Sequence, residues 1–588
     1  MLSFLPQRDS DGETRERELS KCQGKWSYNY SYLDNIALAD SVPAEDGPSL
    51  EWMLLLAKVV ASMAANEAAV ARQLLNIHDS RLPLLDEFVY AKKELSAMKS
   101  KGIDVNMFAA KYLASEYSKI GMNPAESIEQ FQGFFKTISL TASYLGDELF
   151  AHMTLAGPLP DKLKRIHCLP EEFPVTNTHY QSVMGTGDTL EEALQEGRAF
   201  LWDFSIFDGV IGGTFPFNQQ KYIGSPLALF AIAKVKLGAR QLTPIAIQCF
   251  KSKETANPIF TPSNGMAWKM AKMTVRSAAA NYHEIVAHFT HTHLVIEAFA
   301  VSARRQLHAR HPIMRLVEPH IEGTLFINKL AHEQLLRPGG GIDTVMAGEI
   351  GASRGLVCKA IKDYDFDAAM FPNTMAAMGV DDRAILPEYP YRDDAILLWN
   401  AISNWVDSYV AIYYKNDSDV VLDRELQSWW SEVSDMESGG RIGGMGEMVS
   451  VDYLNKALTH LVFTASCQHA VVNFPQGDYM SLATNMPTAL YAQMPTRLEG
   501  YKKEDLLALL PPLHAVQSQL NLAILLGTVY FTKLGDYGKH FLDPCVWPLL
   551  KRFQESLEAI EKTINLRNLV RIPYTYLLPS KIPQSINI

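Results

Sequence analysis

The run Trp268–His320, WKMAKMTVRSAAANYHEIVAHFTHTHLVIEAFAVSARRQLHARHPIMRLVEPH, decides how the rest of the chain is read. It contains no glycine and reaches its first proline only at Pro312, so nothing in it stops a helix for far longer than the usual three or four turns. Ile285, Val286, Phe289, Leu294, Ile296 and Phe299 fall on several sides of such a helix, which predicts a rod buried nearly all round and running through the middle of the molecule. Into this rod the sequence places His283, His288, His291 and His293. A buried imidazole needs a hydrogen-bond partner or a metal. A single one usually has the former; four in so short a stretch point to the latter.

Spacing leaves open which of them are ligands. Residues three apart share a helix face, which favours His288 with His291. Five residues turn through about 500° and leave His283 roughly 140° from His288. Only a π-type widening, with bonds from i to i+5, would aim a pair five apart at one point, and such widenings are found mostly at functional sites. A second candidate element is TASCQHAVVNFPQG, Thr464–Gly477, in which His469 and Asn473 lie four apart on one helix face. The third is the end of the chain, RIPYTYLLPSKIPQSINI, apolar and stiffened by proline where most termini are polar and frayed, so that it reads as a tail threading inward to Ile588.

Taken together these blocks resemble the lipoxygenases, non-haem iron enzymes that dioxygenate polyunsaturated fatty acids. The resemblance rests on WKMAK and HEIVAHFTHTH with Glu297 and Phe299, on ARRQLHARHPIMRLVEPH and FINKLA, and on PEYPYRDDAILLWNAISNWVDSYVAIYY with ELQSWW. TASCQHAVVNFPQG and the terminal PQSINI follow in the family's order, and LAGPLPDKLKRI and TLEEALQEGRAFLWDF precede them, so the likeness runs from about residue 145 to the end. It implies an iron site made by the two histidines five apart, read here as His283 and His288, by His469, by the amide of Asn473 and by the α-carboxylate of Ile588. Three imidazoles, an amide and a carboxylate suit iron, with manganese as the alternative, and lack the thiolates that favour zinc. Gln476 falls at the family's glutamine that links metal ligands to the substrate pocket. The family's other glutamine, counted four residues before His283, falls on Ala279. The leucine of the INxLA-like segment matches Leu330, and the place where the family has Ala or Gly, correlated with S or R products, falls on Phe326 when counted from His283. The implied chemistry is hydrogen abstraction from a bis-allylic carbon by ferric hydroxide, followed by O2 addition to give a conjugated-diene hydroperoxide. A fatty-acid-binding protein of the same fold without turnover and a hydroperoxide isomerase are the alternatives.

Composition sets the outer limits. The chain has 588 residues and a formal net charge of -11, which argues against nucleic acid and strongly anionic membranes as partners, since both select basic surfaces. Its six cysteines are scattered, without paired metal or redox spacing. The opening MLSFLPQRDSDGETRERELSK has neither a basic start nor an apolar run of leader length, which reads as cytoplasmic unless a leader has been trimmed, in which case the chain is secreted or periplasmic. No apolar segment reaches bilayer-spanning length. The glycine runs RPGGGID and ESGGRIGGMGE lack the strand and lysine context of a phosphate loop and read as connections.

The expected architecture is therefore mainly α: one large helical body, residues 146–588, around a long central helix, with a small β-hairpin or sheet where SPLALFAIAKVKLGARQLTPIAIQCF sets two β-rich runs around Gly238. Residues 1–47 read as an extended or mobile arm. Residues 48–145 read as an N-terminal helical lid, opening at Ser49 as N-cap, in place of the β-sandwich that many plant and animal lipoxygenases carry; this resembles the bacterial members. The expected partners are a polyunsaturated fatty acid and O2, with a phospholipid or membrane surface met through the lid, and the chain is expected to act as a monomer.

Overall fold

The fold was analysed as a computed structural model, which describes residues 3–34, 36–74, 146–234, 241–251, 257–527 and 531–588. The central rod is continuous from Met266 to Gln306. It is α-helical over Met266–Tyr282, π-helical over His283–Leu294 and α-helical again over Val295–Gln306. Every side chain from Met270 to Asn281 is buried, as is nearly every one in the π segment and on to Ala303. The rod ends where Leu307 turns extended, a few residues before Pro312 opens a short helix.

Helices wrap this axis on all sides. Pro390–Tyr413 packs against Val451–Phe463 and Trp547–Arg567, and Ile350–Lys362 lies along the π segment. Beyond the rod, Thr324–Leu330 continues as a π turn over Ala331–Leu335. Among the described residues no helix is long and apolar enough to cross a membrane.

The sheet is larger than the expected hairpin. Leu227–Ile232 and Leu242–Gln248 pair antiparallel as predicted, with their turn at Gly238 outside the described residues, but Lys164–Ile166 and Ala199–Asp203 add two further antiparallel strands. These were not legible because Ala199–Trp202 is buried on both faces, which erases the alternation that marks a strand. Phe200, Trp202, Ala228 and Phe230 face the main helical core, whereas Ala199, Leu201, Leu227 and Leu229 face a smaller apolar cluster around Phe173, Tyr180 and Leu190.

Residues 3–47 differ from the expected mobile arm. Leu5, Trp26, Leu33, Ile36, Ala37 and Leu38 are all buried, and the guanidinium of Arg15, fully covered, pairs with Glu425 and with Asp9. Gly12–Lys25 is helical, and Tyr28–Asn29 pairs with Leu38–Ala39 as a two-stranded hairpin lying on the central rod. The polar composition of this stretch conceals a few apolar residues that all point the same way. The helix expected as a lid begins at the predicted cap: Ser49 Oγ accepts from Trp52 N (3.1 Å) and the helix runs Leu50–Leu74. The patterns read between Leu75 and Leu145 lie outside the described residues.

Candidate metal centre

Widening of the central helix brings side chains five apart into line, as the sequence requires, but the pair that converges is one step later than expected. The Nε2 atoms of His288 and His293 face each other at 3.2 Å, and His288 Nε2 lies 3.3 Å from Nε2 of His469. His288, His293 and His469, all buried, present ligand atoms within 4.8 Å of one another. The expected member His283 is turned elsewhere, and this corrects the assignment: its Nε2–H donates to the carbonyl of Val472, so no lone pair on that nitrogen is free. Its ring stacks beside that of His288 at 5.7 Å between centroids. His291 packs on Tyr364 instead (5.2 Å).

A second group, His283, Glu284 and His288, also brings candidate ligand atoms together. It is the weaker choice, because it offers two imidazoles and a carboxylate that burial pushes up, and leaves His469 outside. In the first group the proton of His293 is fixed. Nδ1 of His293 donates to Oδ1 of Asn328 (2.8 Å), so its Nε2 is bare. Nδ1 of His288 lies 3.5 Å from Glu284 Oε2. Burial pushes His288 and His293 down to about 3 and His469 well below its ordinary value, so all three imidazoles are neutral near pH 7. With the protons of His288 and His469 on Nδ1, all three rings would offer a cation their Nε2 lone pairs. Metal–nitrogen bonds of about 2.1 Å at right angles put neighbouring nitrogens roughly 3.0 Å apart, close to the observed spacing. The donor set therefore fits a divalent metal.

His469 opens the short helix His469–Asn473, held between a π turn at Thr464–Gln468 and another at Gln476–Met480. Its neighbour Gln468 donates to Asp161 (2.8 Å) and accepts from the Tyr391 hydroxyl (2.6 Å), which fixes the start of that helix. Asn473 is fully buried; its Oδ1 faces Gln476 Nε2 (3.1 Å), while its Nδ2 has no hydrogen-bond partner. With both amides turned over, Asn473 Nδ2 would donate to Gln476 and Oδ1 would be free as a weak ligand. Cys467, two residues before His469, is a buried thiol pushed up to about 12 and does not compete as a thiolate ligand.

The tail threads inward as expected. His320 donates from Nδ1 to Gln584 O (2.7 Å), Ser585 Oγ to Glu322 O (2.8 Å), Thr324 Oγ1 to Ile586 O (2.8 Å) and Trp52 Nε1 to Asn587 O (2.6 Å). Ile588, 5% exposed, packs with Trp52, Leu56 and Ile327, with Phe326 and Leu330 half-buried beside them. The two substrate-channel candidates thus meet the terminal residue in one apolar cluster.

Shifting the histidine assignment by five residues also removes one departure from the family pattern and reduces the other to a glutamate where the family has glutamine. The place four residues before the first ligand becomes Glu284, whose buried carboxylate lies against His283 and His288 and is pushed up by burial. The place of the small residue moves from Phe326 to Ala331, buried at the start of the Ala331–Leu335 turn. Sequence reasoning missed Glu284 and Ala331, which these two misfits could have found, and Asn328, for which the sequence carried no such signal.

The chain is similar to known proteins over most of its length. The sequence model of the lipoxygenase family matches residues 139–571. The chain is 34% identical to the linoleate 9/13-lipoxygenase of Pseudomonas aeruginosa over 96% of its own length and 89% of that protein. It is 35% identical to the allene oxide synthase-lipoxygenase protein of Plexaura homomalla over 74% of its length, covering 43% of that longer protein. Among solved structures, delta413-417:GS LOX in complex with arachidonate superposes with a TM-score of 0.86 at 27% identity, over 100% of this chain and 84% of that one. The coral 8R-lipoxygenase gives 0.85 at 28% identity, over 100% and 83%.

Proposed function

Because the chain belongs to the lipoxygenase family, we infer that it dioxygenates polyunsaturated fatty acids, forming a hydroperoxide from one fatty acid and one O2. The observation that carries this reading at the level of the site is the convergence of the neutral imidazole nitrogens of His288, His293 and His469. We propose that these three hold iron, with Asn473 and the carboxylate of Ile588 completing the set; manganese suits the same nitrogen and oxygen donors. Iron bound there supplies the one-electron acceptor for hydrogen abstraction at a bis-allylic carbon.

The side chains of this protein do the rest. Trp52, Leu56, Ile327, Phe326 and Leu330 form an apolar wall beside Ile588 that orients an acyl chain and keeps water from a pentadienyl radical. No acid or base is needed on that wall, and none of these five residues is ionisable. Gln476 ties Asn473 in place. The small side chain of Ala331, at the place that correlates with chirality in the family, supports S products.

The lid helix caps this wall with Trp52 and Leu56 and leaves Leu50 and Leu54 58% and 63% exposed. A cleft of about 1190 Å³ lies between its first turn and Phe326, Ile327, Phe531 and Asn587. This arrangement supports entrance of lipid beside the lid. In Leu50→Ser/Leu54→Ser the KM for micellar linoleate is expected to rise about tenfold, the equivalent of half a buried leucine or about 1.4 kcal/mol, with kcat unchanged. An unchanged KM would place the entrance elsewhere.

The test of the activity itself is metal analysis of the purified chain with chiral chromatography of its products from linoleate and arachidonate. We expect close to one iron per chain and conjugated-diene hydroperoxides of S configuration. Binding of fatty acid without oxygen uptake by the iron-loaded chain would favour a carrier, and consumption only of added hydroperoxide would favour an isomerase.

A further inference from the structure

Glu297 lies one turn beyond His293 on the central rod, 1% exposed, and none of its hydrogen-bond partners is a cation. A buried carboxylate without a cation is costly unless its oxygens accept hydrogen bonds, and here each accepts one. Oε1 accepts the backbone N–H of Ala39 (2.8 Å) and Oε2 accepts Asn328 Nδ2 (2.8 Å), with His332 Nε2 3.8 Å away. Asn328, also buried, gives the other hydrogen of that amide to the carbonyl of His293 (3.0 Å) and accepts His293 Nδ1–H on Oδ1 (2.8 Å).

Two acceptors on one side of the Asn328 amide dictate its orientation. The NH2 group must face Glu297 and the His293 carbonyl, so the oxygen must face Nδ1 of His293. The proton of that imidazole is thereby held on Nδ1 and its Nε2 is left bare toward His288. The donor that closes the chain at its far end, Ala39, belongs to the N-terminal hairpin. The same hairpin's connection carries Tyr32, whose hydroxyl donates to the carbonyl of His332.

We propose that Glu297 is a positioning residue of the metal centre, a buried double acceptor that sets the tautomer of His293 through Asn328 and is itself held by the N-terminal hairpin through Ala39. This rests on His293 being a ligand. A carboxylate is required, because the glutamine of Glu297→Gln offers one acceptor where two are needed. With its oxygen toward Ala39, that glutamine turns its NH2 on the NH2 of Asn328. If Asn328 turns over in response, it points donors at Nδ1 of His293 and drives the proton to Nε2, where it blocks ligation. With its oxygen toward Asn328, the same glutamine meets the Ala39 N–H with another donor.

The test compares iron affinity, by competition with a chelator, in the wild type, Glu297→Gln and the reciprocal double variant Glu297→Gln/Asn328→Asp, with circular dichroism as the control for folding. In the double variant the carboxylate introduced by Asn328→Asp accepts from both the new glutamine and His293 Nδ1–H, so the tautomer is restored with the same total charge, at the cost of the bond that Asn328 gives the His293 carbonyl. Glu297→Gln is expected to lose affinity about 10- to 100-fold, and the double variant to recover part of it. Wild-type affinity in folded Glu297→Gln would overturn the proposal. Recovery in the double variant supports it, since a merely structural role gives no reason for that rescue. His293→Ala binding iron as the wild type does would instead overturn the ligand set, a different failure with a different signature.

Discussion

His293→Ala is expected to lose iron affinity by on the order of a hundredfold or more and to lose oxygenation with it, while His283→Ala keeps both. The two residues sit five positions either side of His288 on one π-helical segment, so the pair of variants separates the two ways of choosing ligands from the same motif. Removing the His293 imidazole takes a bare nitrogen from the cluster with His288 and His469. Removing that of His283 costs the bond to the Val472 carbonyl, a loss of about 1–3 kcal/mol of stability that leaves the three converging nitrogens in place. Metal analysis and oxygen uptake on both proteins decide the matter. Iron retained in His293→Ala and absent from a folded His283→Ala would reverse the assignment.

One residue added after Ile588 is expected to abolish both iron binding and diene formation with helical content intact. The extension turns a carboxylate into a neutral amide and must find room where Ile588 is packed against Trp52, Leu56 and Ile327. Ile588→Val keeps the carboxylate and removes one methylene, at about 1 kcal/mol, and is expected to keep metal and turnover. The contrast matters because the tail's carbonyls are already satisfied by Thr324, His320 and Trp52, so the segment can stay docked when its terminus is changed. Full metal occupancy and turnover in the extended chain would show that the terminal carboxylate is not a ligand.

Most of the body was legible because its signals are local: the uninterrupted rod, the Ser49 cap and the paired β runs each follow from neighbouring residues. The ligand phase was not, for a physical reason. His283, His288 and His293 contain two pairs five apart, and a π helix aligns either pair equally well. What breaks the tie lies elsewhere in the chain, in the carbonyl of Val472 that occupies His283 and in Asn328, which orients His293. The N-terminal segment failed in the same manner. Arg15 reads as an ordinary solvated arginine until Glu425, 410 positions away in sequence, is set beside it, and the Ala39 N–H has no visible purpose until Glu297 folds against it.

Among the described residues four π segments border the centre, at His283–Leu294, Ala331–Leu335, Thr464–Gln468 and Gln476–Met480, and each fits more residues into a turn than an α helix holds. Such a turn is a length held in suspense. Deleting a single residue between His288 and His293 would let the ladder relapse into ordinary α bonding with the two imidazoles four apart and still on one face, whereas inserting one would set them six apart and on different sides of the helix. Insertions and deletions in this protein are therefore not graded by how much chain they change. A loop on its surface can absorb several residues, but a single residue added between His288 and His293 is expected to cost the metal before it costs the fold.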